Sequence, residues 1–436
     1  MPDTLADEIE KTPEFESVLH AIDDPAIDFL FVSGVAGTGK STLISIARRN
    51  PAKNVIVVAP TGIAAMNIGG STIHSMFRLA PGPMPDVSML GRRGVEMLKQ
   101  MDLLVIDEIS MVKADLLDAI SKSLSLYRRD PKPFGGVKVA AFGDLFQLAP
   151  VVDEDDQEIL STFGYESNFF FDAKCFRNLR FEVFQLTRTF RQLDPVFVQV
   201  LNDIRTGRNI SEALQYINER CLTSSGLDDV ALTLTTRTAN ADDRNAARLA
   251  ALPHDEMVFV AEMTGEYFEG RADKQLPAPL NLKLKIGARV LFTKNNYPSW
   301  INGSLGTVSA ILNDHIVVEK DDGERAVVYR EEWQHIRHKI NEKTNVIERE
   351  VVASFRQFPL RLGWAVTIHK SQGLTLDSCT VDVGEDGAFV HGQVYVALSR
   401  CKRIEALKLA TPLTISDIKI HQSVLKFYVE HMPSAL

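Results

Sequence analysis

Lys40 and Ser41 close the segment "GVAGTGKS" (Gly34–Ser41), which follows an apolar run and precedes a helical pattern. Glycines at this spacing let backbone N–H groups turn toward phosphate oxygens, and the following helix adds partial positive charge at its N-terminus. Gly34, Gly37, Thr38 and Gly39 would form the cradle. Lys40 would reach the β- and γ-phosphates of a nucleoside triphosphate, and Ser41 would hold Mg²⁺.

A second chemical pair stands in "LLVIDEIS" (Leu103–Ser110). Four apolar residues place Asp107 at the C-terminal end of a buried strand, where ligands meet parallel sheets. Asp107 would take Mg²⁺ through water, and Glu108 would orient and deprotonate an attacking water. "AAFGDLFQLAPV" ends a third apolar run with Asp144 and Gln147. Gln147 would bond the γ-phosphate or the attacking water; an ordinary structural role for a strand-end glutamine stays open. Arg191 in "LTRTFRQLDPVF" and Arg400 in "QVYVALSRCKR" each stand where an apolar segment ends. Planar guanidinium groups there could reach across a cleft and neutralise the phosphoryl group in transfer. Taken singly, each is equally a surface or salt-bridge arginine; together with Lys40 and Glu108 they form a hydrolytic constellation.

The elements that must position these groups follow from the pattern. "FLFVS", "NVIVVA", "LLVID" and "VKVAAFGD" alternate with helical stretches such as "ADLLDAISKSLSLY", which predicts a parallel sheet with helices on both faces. A Pro/Gly-rich stretch, "LAPGPMPDVSMLGRRG", interrupts the series as a small insert near 78–95. The alternation reopens at "VALTLTTRTANADDRNAARLAAL" and resumes at "LGWAVTIHKSQG" and "SCTVDVG". Between them, "ARVLFTKN", "GTVSAIL", "HIVVEKDDGERAVVY" and "REVVASF" are short strands with Asn-Gly and Asp-Gly turns, predicting a small antiparallel β-barrel. The expected organisation is an acidic segment over 1–28, a first α/β lobe over 29–185, a second over 186–285 and 359–436, and a β insert over 286–358.

With 45% hydrophobic and 24% charged residues, the composition is that of a globular protein, and no apolar run approaches the ~20 residues of a membrane span. No membrane partner is expected. The acidic N-terminal stretch lacks the basic and apolar regions of a signal peptide. Cys175, Cys221, Cys379 and Cys401 are scattered, which argues against a zinc site or a disulfide framework and for a reducing intracellular setting. Taken as a sum, the net charge of −9 disfavours nucleic acid. Residues 1–28, however, hold nine acids and one lysine, or −8, leaving −9 − (−8) = −1 for the remainder. A near-neutral body can still carry a local basic groove.

The order of "GVAGTGKS", "APTGIAAMNIGGSTIHSMF", "VIDEISMV", "PFGGVKVAAFGDLFQLAPV", "LTRTFRQLDPVF", "TIHKSQGLTLD" and "QVYVALSRCK" resembles superfamily 1B DNA helicases, and the "PFGG" and "IGGSTIHSMF" segments resemble the petite-integration-frequency (PIF-type) helicases. The resemblance runs from about Phe29 to Leu409. It implies two RecA-like P-loop lobes with parallel sheets, a small wedge insert in the first and an SH3-like barrel in the second. It also implies ATP- and Mg²⁺-dependent 5′-to-3′ unwinding of DNA, with single-stranded and forked DNA as partners, in DNA repair and recombination. G-quadruplex and RNA–DNA substrates belong to the same range. A monomer is expected, cytoplasmic in a bacterium, nuclear or mitochondrial in a eukaryote. Thr42 and Gly373 join the nucleotide contacts by the same resemblance.

The resemblance gives the polar, glycine-rich run after "NVIVVA" a role as one edge of a single-stranded DNA channel. Pro60, Thr61, Gly62 and Ser71 would offer small donors and backbone N–H groups to phosphates, and His74 would meet a phosphate or stack on a base. A plain turn histidine is the alternative at His74. Thr367, His369 and Lys370 of "TIHKSQG" would form the matching edge, completed by Asn302 and Gly303 of "WINGSLG". The chain departs from the family in three places. The first glutamine is Gln100, so the upstream glutamine that reads adenine is missing, and weaker discrimination among nucleoside triphosphates is expected. Leu145 and Ala149 replace the usual Phe and Pro and are expected to be packing changes. The alternatives are a RecD-like or relaxase-associated superfamily 1 ATPase, and a DNA-binding scaffold without turnover.

Overall fold

The computed structural model describes residues 12–432 except 81, 88, 151, 153, 191, 193, 223–230, 271–275, 297 and 341–346. Two parallel sheets organise the described residues, and the region around each is here called a lobe. In the first, six strands lie in the order Ser71–Thr72, Val55–Ala59, Leu103–Ile106, Lys138–Gly143, Phe29–Gly34 and Phe181–Leu186, every neighbouring pair parallel. Phe29–Gly34 and Leu103–Ile106 are buried along their whole length, as strands covered on both faces must be. The second sheet runs Ala365–Thr367, Leu232–Thr235, Cys379–Asp382 and Leu407–Leu409, again all parallel. The motif residues leave these strands at their C-terminal ends: Gly34 into the phosphate loop, Ala59 into Pro60 and Thr61, Ile106 into Asp107, and Thr367 toward His369.

A five-stranded antiparallel sheet follows the order Arg325–Tyr329, His315–Lys320, Leu305–Ile311, Arg289–Phe292 and Leu360–Leu362, with a bulge between Val308 and Ala310. Its core gathers Val290, Phe292, Trp300, Val308, Ile316, Val318 and Val328. The strand carrying "REVVASF" departs from the expected barrel. Ile347–Gln357 pairs instead with Glu331–Ile340 and Glu262–Thr264 in a separate three-stranded sheet. The reason lies in packing, since Trp333 and Phe355 close a small core of their own with Phe268.

The acidic N-terminal segment is also more than a charged lead-in. Pro13–Asp23 is a helix, capped by Thr12 and started by Pro13. Glu14 and Glu16 suit the positive end of its dipole. Phe15, Val18 and Ile22 fall on one helical face and pack with Val32, Leu43 and Ile44 under the first sheet.

Gln422–His431 falls within the span expected for the second lobe, yet its aromatic face packs on the first. Phe427 lies among Phe31, Phe170, Phe171 and Phe181. The hydroxyl groups of Tyr428 and Ser33 share a 2.7 Å hydrogen bond. Aromatic area drives this docking, which sequence proximity to the second sheet does not reveal. The insert near 78–95 is irregular over its described residues until helix Arg92–Gln100 begins. Asp115 and Tyr127 of helix Ala114–Arg128 tie it down by accepting from the N–H groups of Met84 and Leu90. A single hydrophobic cluster runs through both lobes, joining Phe31, Ile106 and Val139 to Leu234, Val381 and Leu409. Among the described residues, no helix is long and apolar enough to cross a membrane.

Candidate active site

The buried strand Phe29–Gly34 delivers the chain into the phosphate loop, and helix Lys40–Arg48 leaves it. Gly37 and Gly39 both take φ +85°, a left-handed conformation that side chains disfavour. A Cβ on Gly39 would also meet the Phe15 ring at 2.7 Å. Lys40 Nζ donates to the carbonyls of Gly34 (2.6 Å) and Val35 (3.0 Å), which holds the ammonium against the loop. The Thr38 hydroxyl donates to Val35 as well, at 3.0 Å. Ser41 is exposed in the first helical turn, with Thr42 half-buried beside it. Phe190 closes the loop from outside, its N–H donating to Gly37 at 2.8 Å.

Asp107 and Glu108 stand at the end of Leu103–Ile106. Asp107 Oδ1 accepts from the Glu108 N–H at 2.9 Å, while Glu108 itself sits at φ +49°. Burial, then the charge of Glu108, pushes the Asp107 carboxyl up to about 7. Burial also raises Glu108, and the positive charges of Lys40 and Arg400 pull it back. The Asp107 carboxyl and the Ser41 hydroxyl are hard oxygen donors of the kind that Mg²⁺ favours. The residues fit that ion.

The second lobe meets this site directly. Gln372 Nε2 donates to Glu108 Oε2 at 3.1 Å, so a side chain of "TIHKSQG" touches the expected base. Arg400 is fully buried, its Nε on the Val396 carbonyl at 2.9 Å and its NH2 on Ser399 Oγ at 2.8 Å. The charges of Glu108 and Asp144 act on it. Arg191 lies outside the described residues. Its neighbour Gln192 is buried and donates to the carbonyls of Ser399 (2.9 Å) and Cys401 (3.2 Å), on both sides of Arg400. Gln147 is buried, with its N–H on the Asp144 carbonyl at 3.0 Å. Lys40, Glu108 and Arg400 are therefore brought together from two lobes. Gln372 and Gln192 escaped the sequence reading, because an uncharged amide beside a charged motif residue carries no signal of which way it points.

The expected DNA edge divides between the lobes. In the first, Pro60, Thr61 and Gly62 are half-buried, and Thr61 Oγ1 caps a short helix by accepting from Ala64 N at 3.2 Å. Ser71 is buried, and His74 is half-buried with Nδ1 3.1 Å from the Leu79 carbonyl. In the second lobe, Thr367 is buried and its hydroxyl accepts from the Lys370 N–H at 3.3 Å. His369 and Lys370 are half-buried, and burial lowers the His369 pKa. Asn302 N–H bonds Asn295 Oδ1 at 2.6 Å. Gly303 presses on Thr375, whose carbonyl a Cβ would meet at 2.9 Å. The "WINGSLG" turn thus lies beside the end of "TIHKSQGLTLD". Gly373, at φ +81°, has open space where a Cβ would stand. Leu145 is buried and Ala149 packs on the main core, in keeping with packing roles.

Residues 6–215 match the PIF1-like helicases. An ATP-dependent DNA helicase Pif1 from Bdellovibrio bacteriovorus is 33% identical over 435 residues, covering 97% of this chain and 92% of that one. This chain belongs to the PIF1-like helicase family. The ATP-dependent DNA helicase PIF1 of Mus musculus is 32% identical over 410 residues, which is 92% of this PIF1-like chain but 60% of the mouse protein. The chain thus spans about 60% of the length of that relative. The crystal structure of Bacteroides sp Pif1 in complex with ADP-AlF4 superposes with a TM-score of 0.89 at 37% identity, covering 98% of each chain. Bacteroides Pif1 bound to ssDNA gives 0.70 at 36% identity over the same coverage. Family and two-lobed α/β architecture are settled by these matches.

Proposed function

We propose that this chain hydrolyses ATP to move 5′-to-3′ along single-stranded DNA and to open the duplex ahead of it. The observation that carries the reading is the hydrogen bond between Glu108 and Gln372. It ties the expected catalytic base to the turn that also bears Thr367, His369 and Lys370, so chemistry and track contact share one cross-lobe joint. The phosphate loop holds the triphosphate with Lys40 on the β- and γ-phosphates. Glu108 takes a proton from the attacking water, and Arg400, with Arg191, offsets charge on the phosphoryl group in transfer. Mg²⁺ held by Ser41 and, through water, Asp107 would supply charge neutralisation between the phosphates. After hydrolysis the Glu108–Gln372 contact and the grip on the phosphate loosen, and one polar edge advances relative to the other. The Bacteroides relative bound to ssDNA supports DNA as the track; the direction rests on family resemblance. Forked DNA is the expected duplex substrate, and a monomer the expected active form.

Unwinding of fluorescent forks bearing only a 5′ or only a 3′ tail tests this, alongside ATP hydrolysis with and without oligonucleotide. Separation of the 5′-tailed fork and strong DNA stimulation are expected. Absence of turnover would instead identify a scaffold, a rate indifferent to DNA would remove translocation, and a preference for the 3′ tail would reverse the direction.

A further inference from the structure

Asp144 follows the strand Lys138–Gly143 of the first sheet, three residues before Gln147, and is fully buried. Its carboxylate is held by groups that the first sheet does not supply. Arg205, in helix Pro195–Thr206, donates to Oδ1 from NH2 at 3.1 Å and from Nε at 3.2 Å. Both side chains of this ion pair are essentially removed from water, at 1% and 0% exposure. The Tyr395 hydroxyl, in helix Gln393–Leu398, donates to Oδ2 at 3.1 Å. The Arg205 guanidinium lies 4.3 Å over the Phe146 ring, within the same loop.

The helix that bears Tyr395 makes a second contact with this loop. Its N-cap is Gly392, at φ +74°, where a Cβ would stand 2.3 Å from the Phe146 carbonyl and 2.5 Å from that of Gln147. Gly392 and Tyr395 are three residues apart, so they lie on one side of the helix. The same short helix runs straight into Ser399 and Arg400. A loop fastened to a short helix at two points cannot pivot on it. Breaking the buried ion pair to free the loop would leave an uncompensated charge.

We infer that Asp144, Arg205 and Tyr395 form a rigid joint through which the Gln147 loop and the Arg400 helix move as one body. Asp144 and Tyr395 are then positioning residues: they touch no substrate, and they set where Arg400 stands when Gln147 engages the γ-phosphate. Disturbing the joint lowers turnover with ATP and DNA both bound, without weakening either binding step. The inference rests on the proposed ATP hydrolysis and DNA stimulation.

The test uses the full chain carrying Tyr395→Phe, which keeps the ring and removes the O–H, and separately Gly392→Ala, which presses on the loop from the other contact. Expected in each is a DNA-stimulated kcat lowered about fivefold to tenfold, with the KM for ATP and the Kd for an oligothymidylate within about twofold of the parent. In a Gln147→Ala background the Tyr395→Phe effect on kcat should vanish, because both changes interrupt one coupling. Thermal midpoints are measured throughout. Variants that lose thermal stability yet keep the parent kcat, or that lose kcat only in proportion to DNA affinity, overturn the joint. Full additivity with Gln147→Ala overturns it too. Absence of DNA stimulation in the parent chain would instead strike the proposed function itself.

Discussion

Glu108 holds a left-handed backbone conformation that a non-glycine residue keeps only where its surroundings fix it. The Asp107 carboxylate on its N–H and Gln372 on its side chain supply that constraint. Glu108→Gln should therefore bind nucleotide as the parent does while hydrolysis falls by about 10²-fold or more, read by single-turnover assay beside a fluorescent-nucleotide titration. The same two carboxyls set the pH response. Burial raises both, so acidification protonates them earlier than exposed acids, removing the proposed base and the proposed cation ligand together. The kcat/KM of the free enzyme should decline as pH falls through about 7, the value for Asp107. Bound nucleotide with its metal favours the ionised forms, so the kcat limb should lie at lower pH than the kcat/KM limb. Coincident limbs, or a flat profile down to pH of about 5, would contradict this. Beside the phosphate loop, helix Pro13–Asp23 presents Phe15 to Gly39 and Glu14 to the N–H and hydroxyl of Thr187, with no glutamine in its span. GTP hydrolysis within about tenfold of ATP is expected, and a preference for ATP far beyond that would show a base-reading group elsewhere.

Turns and strand ends carry the proposed contact with DNA, and among them the Thr367–Lys370 turn is the most directly testable. Lys370 is half-buried and its N–H bonds the Thr367 hydroxyl, so the backbone that carries the proposed phosphate contact is held in register. Lys370→Ala should weaken oligonucleotide binding and reduce the slope of log affinity against log salt by about one; an unchanged slope would place the track elsewhere. Much at this scale was legible in advance. The phosphate loop, the Asp107 strand end and the strand–helix alternation are written locally, in glycine spacing and apolar runs. Elements whose partners lie far off in sequence were not. Nothing within Gln422–His431 says that Phe427 will enter a cluster built by Phe31 and Phe170. Nothing within "REVVASF" distinguishes a barrel strand from one arm of a long hairpin closing on Phe268.

Across the whole molecule, the continuous core joining both parallel sheets predicts shared stability. Calorimetry of the full chain should show one cooperative transition for the two lobes, since neither can lose its packing without exposing the other's apolar surface. Two well-separated peaks would mean that the shared cluster is divisible. The route of the chain adds a geometric consequence. It leaves the first lobe beyond Phe181–Leu186, builds the second, and comes home through the helix that bonds Ser33. Two covalent passages therefore span the cleft where a simple tandem arrangement would have one. A body hung on two pins swings about the line through them and resists wringing. Opening and closing should accordingly trace a single arc, with the pivot fixed beside the strand that feeds the phosphate loop.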